Sequence, residues 1–182
     1  MLSPMYSLVA YVRSPLGQFV ENLRNELHPQ HAHLAAHITV LPPRPLAGTE
    51  QQAMDLLNEV CGRIAPFEIR LGDVENFMPR TPTVFIRVAH GAYRMRELHD
   101  AVDKWPLQHV EPLPYMPHLT VAKLENDEQA QKVYQAAARM WSEYPKAPIV
   151  RIETLTFVRG RDFTWEDVAP VMLGQKLVET SR

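Results

Sequence analysis

Two tetrapeptides could do chemistry in this chain: His37-Ile38-Thr39-Val40 and His118-Leu119-Thr120-Val121. Each places a histidine and a threonine two residues apart within an apolar run. Side chains alternate faces along a β-strand, so His37 and Thr39 would share one face while Ile38 and Val40 point to the other. The same holds for His118 and Thr120. An imidazole exchanges a proton near neutral pH, and a hydroxyl donates a hydrogen bond to an anion. Together the two segments would supply an acid, a base and two anion-binding hydroxyls.

Such a site needs elements that bring two distant segments together. Tyr6 to Val12 reads as a strand, and Ser14-Pro15 should cap and open a helix carrying Leu16, Phe19, Val20, Leu23 and Leu27 at helical spacing. The first His-Thr strand follows, from His37 to about Leu41. Thr49 then caps a helix with Met54, Leu57, Val60 and Ile64, and Phe67, Ile69 and Leu71 alternate as a strand. The second half replays this order. A strand from Thr83 to Val88 precedes a helix with Tyr93, Met95, Leu98 and Val102; then come the second His-Thr strand, a helix capped by Asn126, and two closing strands. One closing strand is expected through Ile152, Leu155 and Phe157. The other runs through Phe163, Trp165, Val168 and Val171, with a turn at Gly160-Arg161-Asp162 between them. The two histidines lie 81 positions apart, close to half of 182 residues. A single domain of two intertwined lobes is expected, one repeat over about 5–78 and the other over about 82–173, with both histidines facing a cleft on a pseudo-twofold axis.

Composition narrows the partners. Hydrophobic residues make up 46% of the chain and charged residues 22%, as in ordinary globular proteins. The formal charge of −2 and pI near 6.4 exclude a global basic field for a long nucleic-acid backbone, so an anionic ligand must be gripped locally. The single cysteine, Cys61, lies in a helical apolar pattern and reads as a buried structural thiol in a reducing compartment. Met1 to Ser14 shows no secretory pattern, and the apolar runs are too short to span a bilayer, so a cytoplasmic monomer without membrane attachment is expected. Sixteen prolines against seven glycines, clustered at Pro42-Pro43-Arg44-Pro45 and Pro112 to Pro117, mark stiff connections beside both motifs.

The repeated His-x-Thr-x, with apolar x, resembles the signature of the two-histidine phosphoesterase superfamily, in particular its bacterial 2′-5′ RNA ligase-like and cyclic phosphodiesterase branch. Phe77-Met78-Pro79 resembles that family's link between lobes. The resemblance implies an α+β fold of two lobes, an antiparallel sheet in each, helices outside and a central groove. It also implies hydrolysis of a 2′,3′-cyclic phosphate or 2′-5′ linkage without a metal or other cofactor, on RNA ends or a small cyclic nucleotide, with joining as the reverse reaction. By the same resemblance His37 is the acid at the leaving oxygen and His118 the base for water, while Thr39 and Thr120 bind the phosphoryl oxygens. After the first motif the chain departs from better-known members, with Leu41-Pro42-Pro43-Arg44-Pro45 in place of a basic and an aromatic residue.

Other candidates are secondary. Arg159 and Tyr115 are expected at the groove rim, the first as a phosphate contact and the second stacked on a base, with Arg44, Arg80 and Arg161 as further cations. His28, His31 and His33 precede His37, but their spacing matches no compact zinc motif and a solvated loop is the expectation. A module that binds RNA ends or nucleotides without turnover is the alternative from another class. A third reading makes both His-Thr strands purely structural.

Overall fold

A computed structural model describes residues 3–31, 34–161 and 164–176. Eight strands and four helices follow one another as β1 (Met5–Tyr11), α1 (Leu16–Leu27), β2 (His37–Arg44), α2 (Glu50–Gly62), β3 (Phe67–Asn76), β4 (Thr83–His90), α3 (Ala92–Val102), β5 (His118–Lys123), α4 (Asp127–Trp141), β6 (Ile149–Ile152), β7 (Thr154–Arg161) and β8 (Thr164–Met172). None of the helices described is long and apolar enough to cross a membrane. Asp162, Phe163 and His33 lie outside the described residues.

Local chemistry accounts for most of these boundaries. Thr49 caps α2 in a reciprocal box, its side chain accepting from the Gln52 N–H while the Gln52 side chain accepts from the Thr49 N–H. Asn126 accepts from the Gln129 N–H at the start of α4. Ser14 does not cap α1: Pro15 occupies the cap position and no side chain accepts there. Gly17 in that first turn has no alternative, because a Cβ would lie 1.9 Å from the Val12 carbonyl oxygen. Tyr93, read as part of an apolar stripe, stands 64% exposed, and Met95, Leu98 and Val102 are the apolar residues that α3 buries in the core.

The strands form two antiparallel sheets, ordered β2-β1-β7-β8 and β5-β4-β3-β6. The sheets are not the two sequence halves. β3 follows the first-half helix α2 yet pairs with β4, and β7 from the second half pairs with β1 and carries β8 with it, so the first half gives one strand to the other's sheet and the second half gives two. The strand expected through Ile152, Leu155 and Phe157 is two strands, with β6 in one sheet and β7 in the other. The alternation slips at Glu153 and Thr154, two consecutive exposed residues between buried Ile152 and Leu155, and there the chain changes sheets.

Helices cover one face of each sheet. α4 packs on β3, β4 and β5, α2 on β8, and α1 and α3 each reach the His-Thr strand of the opposite sheet. The buried side chains of both sheets and all four helices make one continuous core. Cys61 is part of it, and burial pushes its thiol up to about 12, as expected of a structural residue.

Candidate active site

The two tetrapeptides fold alike to the level of single residues. Ile38, Val40, Leu119 and Val121 are all at most 1% exposed, and burying each stabilises its strand by about 1.5–3 kcal/mol. The apolar positions anchor the strands, and the alternation leaves His37, Thr39, His118 and Thr120 half-buried on the face that the core does not cover. β2 and β5 are the edge strands of their sheets, and they approach each other directly at the centre of the molecule. The neighbouring strands complete the face: Tyr11 pairs with His37 and Val9 with Thr39, while Arg87 pairs with His118 and Phe85 with Thr120.

Both imidazoles are oriented by the same device. Nδ1 of His37 lies 2.7 Å from the Ala35 carbonyl oxygen, and Nδ1 of His118 lies 2.7 Å from that of Met116, two residues upstream in each case. A carbonyl only accepts, so Nδ1 carries the hydrogen and Nε2 is left to take or give a proton. Ring edges fix the planes further. Tyr11 meets His37 edge-on at 6.4 Å, and Phe77 and Phe85 both meet His118 at 5.2 Å. Phe77 and Phe85 stack on each other at 4.1 Å. Neither threonine hydroxyl is engaged by another described residue.

Burial is the largest influence on both imidazoles and favours their neutral forms, pulling each below the ordinary histidine value. The carbonyls on Nδ1 oppose this, whereas Lys123 lowers both groups, Arg24 lowers His37, and His37 itself lowers His118. The two rings are thus close enough to sense each other's charge. An NMR titration should therefore find both imidazoles losing their protons below about pH 6.5. A midpoint above that value for either ring would show that burial does not govern it.

Lys123 and the aromatic pair escaped sequence reasoning. An extra residue, Val40 in β2 and Val121 in β5, bulges from each strand just after the threonine. The bulge resets the alternation, so Lys123, five residues after His118, returns to the histidine face beside Thr83. Phe85 was legible in principle, since strict alternation along β4 puts Thr83, Phe85 and Arg87 on the face opposite Val84, Ile86 and Val88.

The expected rim is largely corrected. Arg44 is no phosphate contact: it pairs with Tyr6 on the core-facing side of the sheet and is fully buried. There Nε donates to the Pro42 carbonyl, Nη1 to Asp103 at 2.7 Å and to the Leu107 carbonyl at 3.0 Å, and Nη2 to Glu111. Arg159 shares the helix-covered face with Leu155 and Phe157 and is paired with Glu50 of α2 and with Glu166, so it does not reach the histidines. Tyr115 does not offer its ring as a base platform, because that ring is stacked on His99 at 4.3 Å and its hydroxyl is spent on the Thr39 carbonyl at 2.8 Å. Arg161 is exposed at the end of β7. Arg80 sits on the turn that follows Phe77, its N–H donating to the Phe77 carbonyl, and its side chain is exposed. Among the described residues no group of three or more His, Cys, Asp and Glu is arranged to hold a metal ion.

Comparison with known proteins adds four findings. The sequence pattern of the 2′-5′ RNA ligase superfamily matches residues 12–162. A protein of Oceanobacillus iheyensis with a provisional phosphoesterase name is 22% identical over 179 residues, covering 86% of this chain and 99% of that one. A second, from Bacillus pumilus and similarly named, is 24% identical over 127 residues, covering 69% of this chain and 74% of the other. Among solved structures, Escherichia coli LigT complexed with 3′-AMP superposes with a TM-score of 0.62 at 15% identity, over 95% of this chain and all of LigT.

Proposed function

The chain belongs to the 2′-5′ RNA ligase superfamily, the two-histidine phosphoesterases that its motifs resemble, and from that membership we propose that it opens 2′,3′-cyclic phosphates or cleaves 2′-5′ linkages at RNA ends or in nucleotides. The observation that carries this reading is the pair of imidazoles, each held through Nδ1 with Nε2 available, on adjoining edge strands. Binding alone needs no second proton-transfer group. Hydrolysis of a cyclic phosphate needs two, one at the entering water and one at the leaving oxygen.

The assignment of roles follows the family resemblance. Nε2 of neutral His118 takes a proton from water as its oxygen attacks phosphorus. The bond from phosphorus to one ribose oxygen breaks, and Nε2 of protonated His37 hands its proton to that oxygen, leaving a phosphomonoester. The hydroxyls of Thr39 and Thr120 donate to the non-bridging oxygens, where negative charge gathers. Lys123 adds a positive charge on the same face. With a ribose 5′-hydroxyl attacking in place of water, the same two transfers open the ring and leave that end joined to the phosphate. Neither proton transfer calls for a metal or cofactor. The LigT complex with 3′-AMP supports a ligand of nucleotide size.

The reading is tested by incubating the protein with 2′,3′-cyclic nucleotides and with a 2′-5′-linked dinucleotide in the presence of a chelator. Turnover of at least one is expected. Since both imidazoles titrate low, the singly protonated pair is most abundant below about pH 6.5, so kcat/KM should peak there. A bound phosphodiester anion favours the protonated ring, and the maximum in kcat should lie at higher pH. Saturable nucleotide binding without any turnover would instead establish the binding-module reading.

A further inference from the structure

We propose that Tyr115 and His28 form a reciprocal clasp that sets the placement of the two His-Thr strands, each reaching from the approach to its own lobe's strand onto a backbone carbonyl of the other's. Tyr115 lies three residues before His118, and its hydroxyl donates to the Thr39 carbonyl at 2.8 Å, across 76 residues of sequence. His28 ends α1, ahead of β2, and its Nε2 lies 2.8 Å from the Lys123 carbonyl, across 95 residues. A carbonyl only accepts, so Nε2 of His28 is the donor.

The two bonds fall where β2 and β5 need them. Both are edge strands, and no ladder joins one to the other, so sheet pairing alone leaves their separation unspecified. Side chains from the approach segments supply the missing register. The approach to His118 is stiffened by Pro112, Pro114 and Pro117, and the Tyr115 ring is wedged parallel to His99 at an interplanar angle of 7°. His99 is held in turn by Glu111 at 2.9 Å, and Glu111 by the buried Arg44. Tyr115 is therefore presented to Thr39 by a chain of fixed contacts. Because the bonded residues are Thr39 itself and Lys123, just beyond Thr120, the clasp acts on the strand segments that carry the anion-binding hydroxyls. Proton transfer from opposite sides of phosphorus tolerates little error in that placement, and a misplacement of about 1 Å costs on the order of 100-fold. Both are positioning residues: neither touches the substrate.

This inference rests on the proposed reaction for its kinetic test, and the experiment includes a measurement that does not. Tyr115→Phe keeps the ring on His99 and removes only the hydroxyl. It should lower kcat on a 2′,3′-cyclic nucleotide by about 10- to 100-fold, leaving KM within about twofold. His28→Ala should do the same, whereas His28→Gln, which restores an N–H near the position of Nε2, should recover most of the rate. Independently of turnover, the NMR titration midpoint of His118 should rise in Tyr115→Phe as its coupling to His37 and its burial relax. An unchanged kcat, an effect confined to KM, or an unmoved His118 titration overturns the clasp. If the unaltered protein turns over no substrate, the functional reading fails, and the His118 titration alone decides the clasp.

Discussion

Replacing either His37 or His118 with alanine is expected to lower turnover of a 2′,3′-cyclic nucleotide by about two to four decades, the usual contribution of a positioned acid or base. The effects should be similar in size because the two groups are built alike. Each imidazole is half-buried on an edge strand, anchored by an i−2 carbonyl and faced by an aromatic ring. They should also be far from additive, since removing one imidazole leaves the other without a partner reaction to serve. Thr39→Ala and Thr120→Ala each delete one donor among several and should cost less. The roles are separable by pH. Loss of the base removes the acid limb of the kcat/KM profile, and loss of the acid removes the alkaline limb. Steady-state kinetics across about pH 4.5 to 8 would show this. Unaltered turnover in either histidine variant would remove that residue from the mechanism.

Arg44→Ala should unfold the protein more readily by about 3–5 kcal/mol, because it strips a fully buried guanidinium from Asp103 and Glu111 and leaves their charges uncompensated. Asp103 is partly open to water and will recover some hydration, whereas Glu111 is only 13% exposed and keeps His99 alone. For a chain of this size each kcal/mol lowers the melting temperature by roughly 2–4 °C, so a fall of about 6–20 °C is expected by calorimetry. The consequence reaches the site, since Glu111 opens the proline-rich segment that delivers Tyr115 and His118. A loss below about 1 kcal/mol would mean that the buried network contributes little to stability.

Much of this arrangement could be read from covalent geometry. The period of two along His37 to Val40 and His118 to Val121 assigns faces without any knowledge of a partner, because adjacent side chains in an extended chain must point apart. Helical spacing and the capping chemistry of Thr49 and Asn126 placed α2 and α4 for the same reason: the controlling interactions lie within a few residues. The repeat of element order also sufficed to infer that two distant histidines meet.

What local pattern could not determine was which strands pair and where their registers slip. The exchange of β3 and β7 between sheets depends on contacts between residues far apart in sequence, as does the junction of β2 with β5. The bulges at Val40 and Val121 are properties of a strand pair rather than of a strand; the one at Val121 turns Lys123 toward the histidines, and in β2 a second register shift between Leu41 and Arg44 offsets the first and leaves Arg44 on the core face. Tyr115 and Arg159 read in isolation as rim residues. Tertiary partners settled them, Thr39 and His99 for Tyr115, Glu50 and Glu166 for Arg159. The sequence by itself thus determined the two histidine-threonine faces, because periodicity is local. Only the tertiary structure decided how the two faces are held against each other, because that rests on hydrogen bonds and ion pairs spanning most of the chain.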